Sequence, residues 1–231
     1  MISTLGKTTL TALFSGGKDS TFAIYYALSQ GWIIKNLITI EPKKDSIYWH
    51  YPNIEWTKLQ AEAMGMSLTK IYEEGYDGMG SLEEALKELK KENEIVGIVS
   101  GVIYSDFQRK VLIKICKKVG LKLITPLWMK NPLMILDKIV KCGIHAIIVS
   151  VAAQGLDEEW LGMEINYDTI SKLIEKNKKY GISLCGEGGE YETFVYDAPF
   201  FKKRVKINRY EKIWMKDSGI LKIKDAELVG K

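Results

Sequence analysis

Cysteine is scarce in this chain, and its few cysteines stand alone. Cys116, Cys142 and Cys185 are the three among 231 residues. They are odd in number and form no CxxC pair, so neither a zinc site nor a dithiol redox centre is suggested. Isolated thiols suit a reducing compartment, and a cytoplasmic location is expected. Long apolar runs are missing: no stretch reaches the length of a membrane span. Residues 1–7 (MISTLGK) lack the apolar core of a signal peptide. No membrane partner is expected. Charge of one sign is barely in excess, with 33 Lys/Arg against 29 Asp/Glu for a net +4. That permits an acidic partner but is too small to argue for direct nucleic-acid contact. No internal repeat or low-complexity segment stands out. What remains is an ordinary globular composition, 46% hydrophobic and 27% charged, in a chain long enough for one large domain or two small ones.

One run carries the most information: Ser15-Gly16-Gly17-Lys18-Asp19-Ser20, after the apolar strand Leu10–Phe14 and before a helix opening near Asp19. Adjacent glycines let backbone approach a bulky anion, because no Cβ intervenes. Free N–H groups and the dipole at a helix start face that anion. Lys18 adds a point charge, and Ser15 and Ser20 add hydroxyl donors. The reading is a phosphate cradle. It is not the common P-loop, which needs four residues between its first Gly and Gly-Lys. An ordinary glycine-rich strand–turn–helix junction is the plainer explanation, and the complete six-residue run in this context weighs against it.

The first half alternates apolar β runs with amphipathic helices. Strands are expected at 9–14, 33–40, 68–72, 95–100 and 122–124, and helices at 19–30, 54–64, 81–92, 106–119 and 132–141. Ser81 and Glu84 read as a capping box. Gly31, Gly65, Gly120 and Gly143 fall where helices end. This alternation predicts an α/β fold: a Rossmann-like parallel sheet with helices on both faces. Pro126-Leu127-Trp128 breaks the pattern. A domain over 1–127 and a smaller α/β domain over 128–231 are expected, the second with strands at 144–150, 204–215 and 220–228 and a helix at 168–180.

Ligands of open α/β sheets bind beyond the carboxyl ends of the strands, where strand order reverses. The loop after the fourth strand, Ser100-Gly101 through Asp106 and Arg109, again joins small residues to a helix start. If strands one and four are neighbours, both loops line one crevice. Arg109 could then pair with phosphates. Asp106 either caps the helix or binds a ribose hydroxyl.

Several segments together carry a family resemblance. Ser15–Ser20 resembles the PP-loop of the N-type ATP pyrophosphatases. Gly101–Arg109, the Pro52-Asn53 and Gln60–Gly65 stretch, Pro126-Leu127-Trp128, Gly155–Gly162 and Gly186–Thr193 resemble elements of the diphthine–ammonia ligases. Phe107 stands where that family usually has tyrosine, which loses one hydroxyl. The resemblance spans nearly the whole chain. It implies an adenine nucleotide alpha hydrolase-like fold and the last step of diphthamide synthesis. In that step ATP activates a diphthine carboxylate on the translation elongation factor as an acyl adenylate, and free ammonia amidates it, releasing AMP and pyrophosphate. ATP and Mg²⁺ are thus implied. Asp19 is the candidate Mg²⁺ ligand, or merely a favourable charge in the first helical turn. By analogy, Ile38 and Thr39 offer backbone groups to adenine.

The Glu187-Gly188-Gly189-Glu190-Tyr191-Glu192-Thr193 loop crowds three carboxylates, which repel unless a cation is shared. A solvated turn is the plain alternative. Diphthine's trimethylammonium and the incoming ammonium are both cations. Lys18, Glu187 and Glu190 are taken as catalytic. Gly188, Gly189, Glu192 and Thr193 are taken as substrate-binding, with Trp128, Trp160 or Tyr191 facing the trimethylammonium. Which glutamate does which stays open. His145 reads as a core histidine, and His50 as either a site or a surface residue. The competing functions are another PP-loop ATP pyrophosphatase, such as a tRNA-modifying ligase, and a non-catalytic ATP-sensing module. Paired cysteines and a strongly basic RNA-binding region would favour the first, and both are missing. A homodimer is left open.

Overall fold

The computed structural model describes residues 8–41, 52–72 and 79–231. In the first half, strand and helix alternate: β1 (Thr9–Leu13), α1 (Lys18–Ser29), β2 (Ile33–Glu41), α2 (Thr57–Met64), β3 (Ser67–Tyr72), α3 (Met79–Asn93), β4 (Gly97–Val99), α4 (Asp106–Val119) and β5 (Lys122–Ile124). The five strands pair in parallel in the order β3-β2-β1-β4-β5. The central strand is buried on both faces, with Leu10, Thr11 and Ala12 fully enclosed, as a parallel strand covered by helices must be. One face packs Ile38, Ile98, Leu86 and Ile115. The other packs Leu10, Phe14, Ile24 and Leu37. Helices α2 and α4 end on Gly65 and Gly120 in the left-handed conformation, which only glycine adopts without strain.

The second half contains α5 (Pro132–Lys141), β6 (His145–Val151), α6 (Tyr167–Tyr180), β7 (Tyr191–Asp197), β8 (Arg204–Met215) and β9 (Ser218–Val229). Its strands form an antiparallel sheet ordered β7-β6-β9-β8. The two sheets share a core: Leu10 and Phe14 belong to the same cluster as Ile148, Val195 and Leu221.

Three local expectations are corrected. Ser81 lies inside α3, which already runs from Met79, so it is not the cap. The Gly/Glu loop is shorter than 186–193, because β7 begins at Tyr191. His145 is not in the core: strand alternation turns Ala146 and Ile148 inward, leaving His145 exposed with Nδ1 2.8 Å from Glu164 Oε1. His50 lies outside the described residues.

Candidate active site

Strand order reverses between β1 and β4, so the loops after both strands open on one crevice. Gly16 turns the chain at φ +82. Gly17 is the N-cap of α1 and brings no side-chain cap to its first turn. Inside the loop, the Ser15 and Ser20 hydroxyls lie 3.2 Å apart, and Ser20 Oγ donates to Gly17 O at 3.1 Å. The cradle is therefore pre-shaped by its own hydroxyls.

The loop is also clasped from outside. Gln60, fully buried on α2, donates from Nε2 to Gly16 O (3.0 Å) and Val195 O (2.7 Å). The Val195 N–H donates to Gly16 O at 2.9 Å, and the Lys18 N–H to Thr193 Oγ1 at 3.0 Å. A Cβ on Gly16 would meet Gln60 Oε1 at 2.5 Å. Thr193 is thus a brace of the cradle. Gln60 was given no role from sequence, since nothing local marks a buried amide as a bridge.

Lys18 is 3% exposed. Its ammonium is held by Asp19 Oδ2 (2.8 Å) and Cys185 O (2.6 Å) and lies 4.9 Å from the Tyr191 ring centroid. Burial pushes its pKa down, but Asp19 and the other acidic neighbours outweigh that and hold it above the ordinary lysine value. Asp19 Oδ1 is buried with no hydrogen-bond partner. Tyr191 is itself buried, donating its hydroxyl to Leu184 O at 2.6 Å.

The three glutamates separate by their partners. Glu187 Oε2 accepts the Tyr104 N–H at 2.9 Å, tying the acidic loop to the loop after β4. Burial pushes its carboxyl above the usual range, and the Asp19 charge adds to that. Glu190 accepts from the Ser183 N–H with one oxygen and from the Gly188 N–H with the other, each at 2.8 Å, which closes its own turn. Gly189 completes that turn at φ +82. The Glu192 carboxylate makes no hydrogen bond or ion pair among the described residues, although its backbone pairs with Ser150. Burial pushes its carboxyl up to about 7; Lys18 opposes this, and the Asp19, Glu187 and Glu190 charges add to it. Glu187 is therefore tied to the crevice loops and Glu190 shapes its own turn, while Glu192 lies between the two residues of β7 that meet Lys18, Tyr191 and Thr193.

The second crevice loop fits tightly. A Cβ on Gly101 would lie 2.7 Å from the Asp19 carbonyl, so only glycine allows this approach. Ser100 is buried, its N–H donating to Ile124 O at 2.9 Å. Ser105, not Asp106, caps α4, accepting the Gln108 N–H at 3.3 Å. Asp106 is exposed and pairs with Lys110. The Arg109 guanidinium stacks over the Trp128 ring at 4.7 Å, with its Nε buried and unpartnered.

Other expected contacts are not brought to the crevice. Trp160 is 3% exposed and packs in the shared core. Ile38 and Thr39 are committed to the ladder, Ile38 O accepting from the Phe14 N–H and Thr39 Oγ1 donating to Phe14 O. No helix among the described residues is long and apolar enough to cross a membrane, and all three cysteines are free thiols.

Fold and site define a class: a doubly wound α/β protein with a glycine-opened strand–helix loop at its switch point and an acidic segment packed against that loop. The family described as diphthamide synthase N-terminal domain matches residues 8–123, and its C-terminal counterpart matches residues 131–229. The diphthine–ammonia ligase of Homo sapiens is 35% identical over 225 residues, covering 87% of this chain and 84% of its own. That of Danio rerio is 33% identical over 231 residues, covering 91% and 90%. A solved U34-tRNA thiolase, NcsA from Methanococcus maripaludis, aligns at 15% identity and TM-score 0.37 over 79% of this chain and 70% of that one, too loose a likeness to weigh. The chain belongs to the diphthine–ammonia ligase family, a family of ATP-dependent ligases.

Proposed function

We propose that this chain performs the ATP-dependent amidation of diphthine to diphthamide on the translation elongation factor, with free ammonia as nitrogen donor. Beyond family membership, the observation that carries this reading is the junction of cradle and acidic segment: the Lys18 N–H on Thr193 Oγ1, and the Tyr104 N–H of the second crevice loop on Glu187 Oε2. A carboxylate is a poor electrophile. Its oxygen attacks the α-phosphorus of ATP, and the bond to the β-phosphate oxygen breaks. Charge then develops on departing pyrophosphate, where Ser15, Gly16, Gly17, Ser20 and the start of α1 offer donors, with the Lys18 charge beneath them. Ammonia next attacks the acyl carbon of the adenylate, and AMP leaves.

Ammonium must lose a proton before it attacks. Glu187 and Glu192 are suited to hold it and take that proton. Glu190 supports them by fixing the turn. The same carboxylates, rather than Trp128 or Trp160, would balance the trimethylammonium. Mg²⁺ fits one observation, the orphaned buried Asp19 Oδ1, and hard oxygen donors shared with phosphates suit that ion. When bound it would neutralise phosphate charge. Arg109, whose buried Nε has no hydrogen-bond partner among the described residues, would add a phosphate contact from α4. We read residues 1–127 as the ATP-binding domain and 128–231 as the substrate-binding domain. Free thiols favour a reducing, cytoplasmic setting. Pyrophosphate release that requires the diphthine-bearing protein supports this reading. Release at the same rate without that protein contradicts it.

A further inference from the structure

The acceptor in the proposed reaction is a side chain of a folded protein, so the enzyme must seat a protein surface beside its crevice. Five large apolar side chains stand exposed on the two loops that follow β4 and β5 and on the helix starts they lead into: Tyr104, Phe107, Met129, Leu133 and Met134. Phe107 is 70% exposed and Met129 63%. This rim adjoins the site, because the Tyr104 N–H binds Glu187 Oε2.

The rim is built rather than loose. The Tyr104 hydroxyl donates to Lys130 O at 2.9 Å, and the Met129 N–H donates to Ile103 O at 2.9 Å, so each loop holds the other. Asn131 caps α5, accepting the Met134 N–H at 3.2 Å, with Pro132 in its first turn. Met129 sits at φ +55, a left-handed conformation that disfavours any residue with a Cβ. Glycine would relieve that strain. A strained backbone that holds an apolar side chain in water needs a reason outside stability. Exposed apolar groups gathered this way mark interaction surfaces, and methionine adapts its shape to a partner.

We infer that the Tyr104–Phe107–Met129–Leu133–Met134 rim is the docking surface for the folded protein that carries the acceptor side chain, met by an apolar patch around the modified residue. This rests on the functional reading above. Met129 and Phe107 are its outermost contacts. A second exposed group, including Trp214 on β8, serves as a control. It lies in the cross-sheet row Tyr191–Val151–Gly219–Trp214, three strand spacings or roughly 14 Å from Tyr191.

The test is steady-state amidation of diphthine-bearing elongation factor, varying that protein and ATP separately, for wild type, Met129→Gly, Phe107→Ser and Trp214→Ala. Melting temperatures and sedimentation are measured alongside. Met129→Gly is expected to melt at or above the wild-type temperature while its KM for the protein rises about tenfold. Its KM for ATP is expected to stay within twofold, as is its kcat. Phe107→Ser should behave alike in kinetics, and Trp214→Ala should match wild type. Unchanged protein KM in both rim variants overturns the proposal. So does a wild-type dimer that Met129→Gly turns into monomers, which would make the rim a contact between copies of this chain. If the wild type amidates nothing, the functional reading falls and this inference falls with it. If the wild type amidates and the rim variants are unshifted, only the inference falls.

Discussion

Lys18 carries its charge under the cradle, held by Asp19 and the Cys185 carbonyl rather than projecting into solvent. A fixed charge costs no reorganisation when the pyrophosphate charge develops. Removing one preorganised donor of this kind typically costs about two to three orders of magnitude in rate. Lys18→Ala should therefore lower pyrophosphate release by that amount in a continuous phosphate-coupled assay. Near-wild-type release would remove Lys18 from the mechanism. Glu192 makes a different prediction. Its folded carboxyl is raised to about 7 from 4.5, so the folded protein holds a proton that the unfolded chain releases in that window. The stability it contributes is full below 4.5 and is lost as pH rises through about 7. Glu187 is shifted in the same direction, so Glu192→Gln should shrink this loss without abolishing it. Denaturant melts of the ligand-free protein on either side of that window check it, and an unchanged loss would contradict the placement of Glu192. At this scale the sequence identified the acidic run but not the division of labour within it. The spacing of Glu187, Glu190 and Glu192 does not reveal which carboxylate closes a turn on the Ser183 and Gly188 N–H groups and which is left unpartnered.

The start of β7 and helix α2 act as one clasp on the cradle. Gln60 bridges Gly16 O and Val195 O from a fully buried position. Gln60→Leu removes both donors, although Gly16 O keeps the Val195 N–H. A buried polar group left unsatisfied costs about 1–3 kcal/mol, so that loss of stability is expected in urea unfolding, with a higher KM for ATP as the loop loses its brace. A variant as stable as wild type with unchanged ATP kinetics would refute the clasp. The parallel sheet was legible because β1 to β5 alternate with helices and several helices end on glycine. The cradle was legible because Ser15–Ser20 is local. The clasp was not, because Lys18 and Thr193 are 175 residues apart and no short-range pattern reports their contact. Trp160 is an aromatic that could face the trimethylammonium, yet its volume is used in the core. Ile38 and Thr39 were placed in the right strand, but too far inside the ladder for their backbone groups to be free.

Across the whole molecule, the parallel and antiparallel sheets share one apolar cluster that runs from Leu10 and Phe14 to Val195 and Leu221. Loosening one half exposes the other, so calorimetry should give a single cooperative transition. Two resolved transitions would mean that the halves fold independently. This union also assembles the candidate site, since the Ser15–Ser20 loop comes from the first half and the acidic segment bonded to it from the second. The account's central claim is that the joined site converts a protein-bound carboxylate to an amide at the expense of ATP. The most direct measurement is mass spectrometry of diphthine-bearing elongation factor after incubation with this protein, ATP and ¹⁵N-ammonium. The account predicts that the diphthine carboxyl exchanges its hydroxyl for a labelled amide, with AMP and pyrophosphate formed in step. ATP turnover that leaves the diphthine carboxylate unlabelled and unchanged in mass would contradict it.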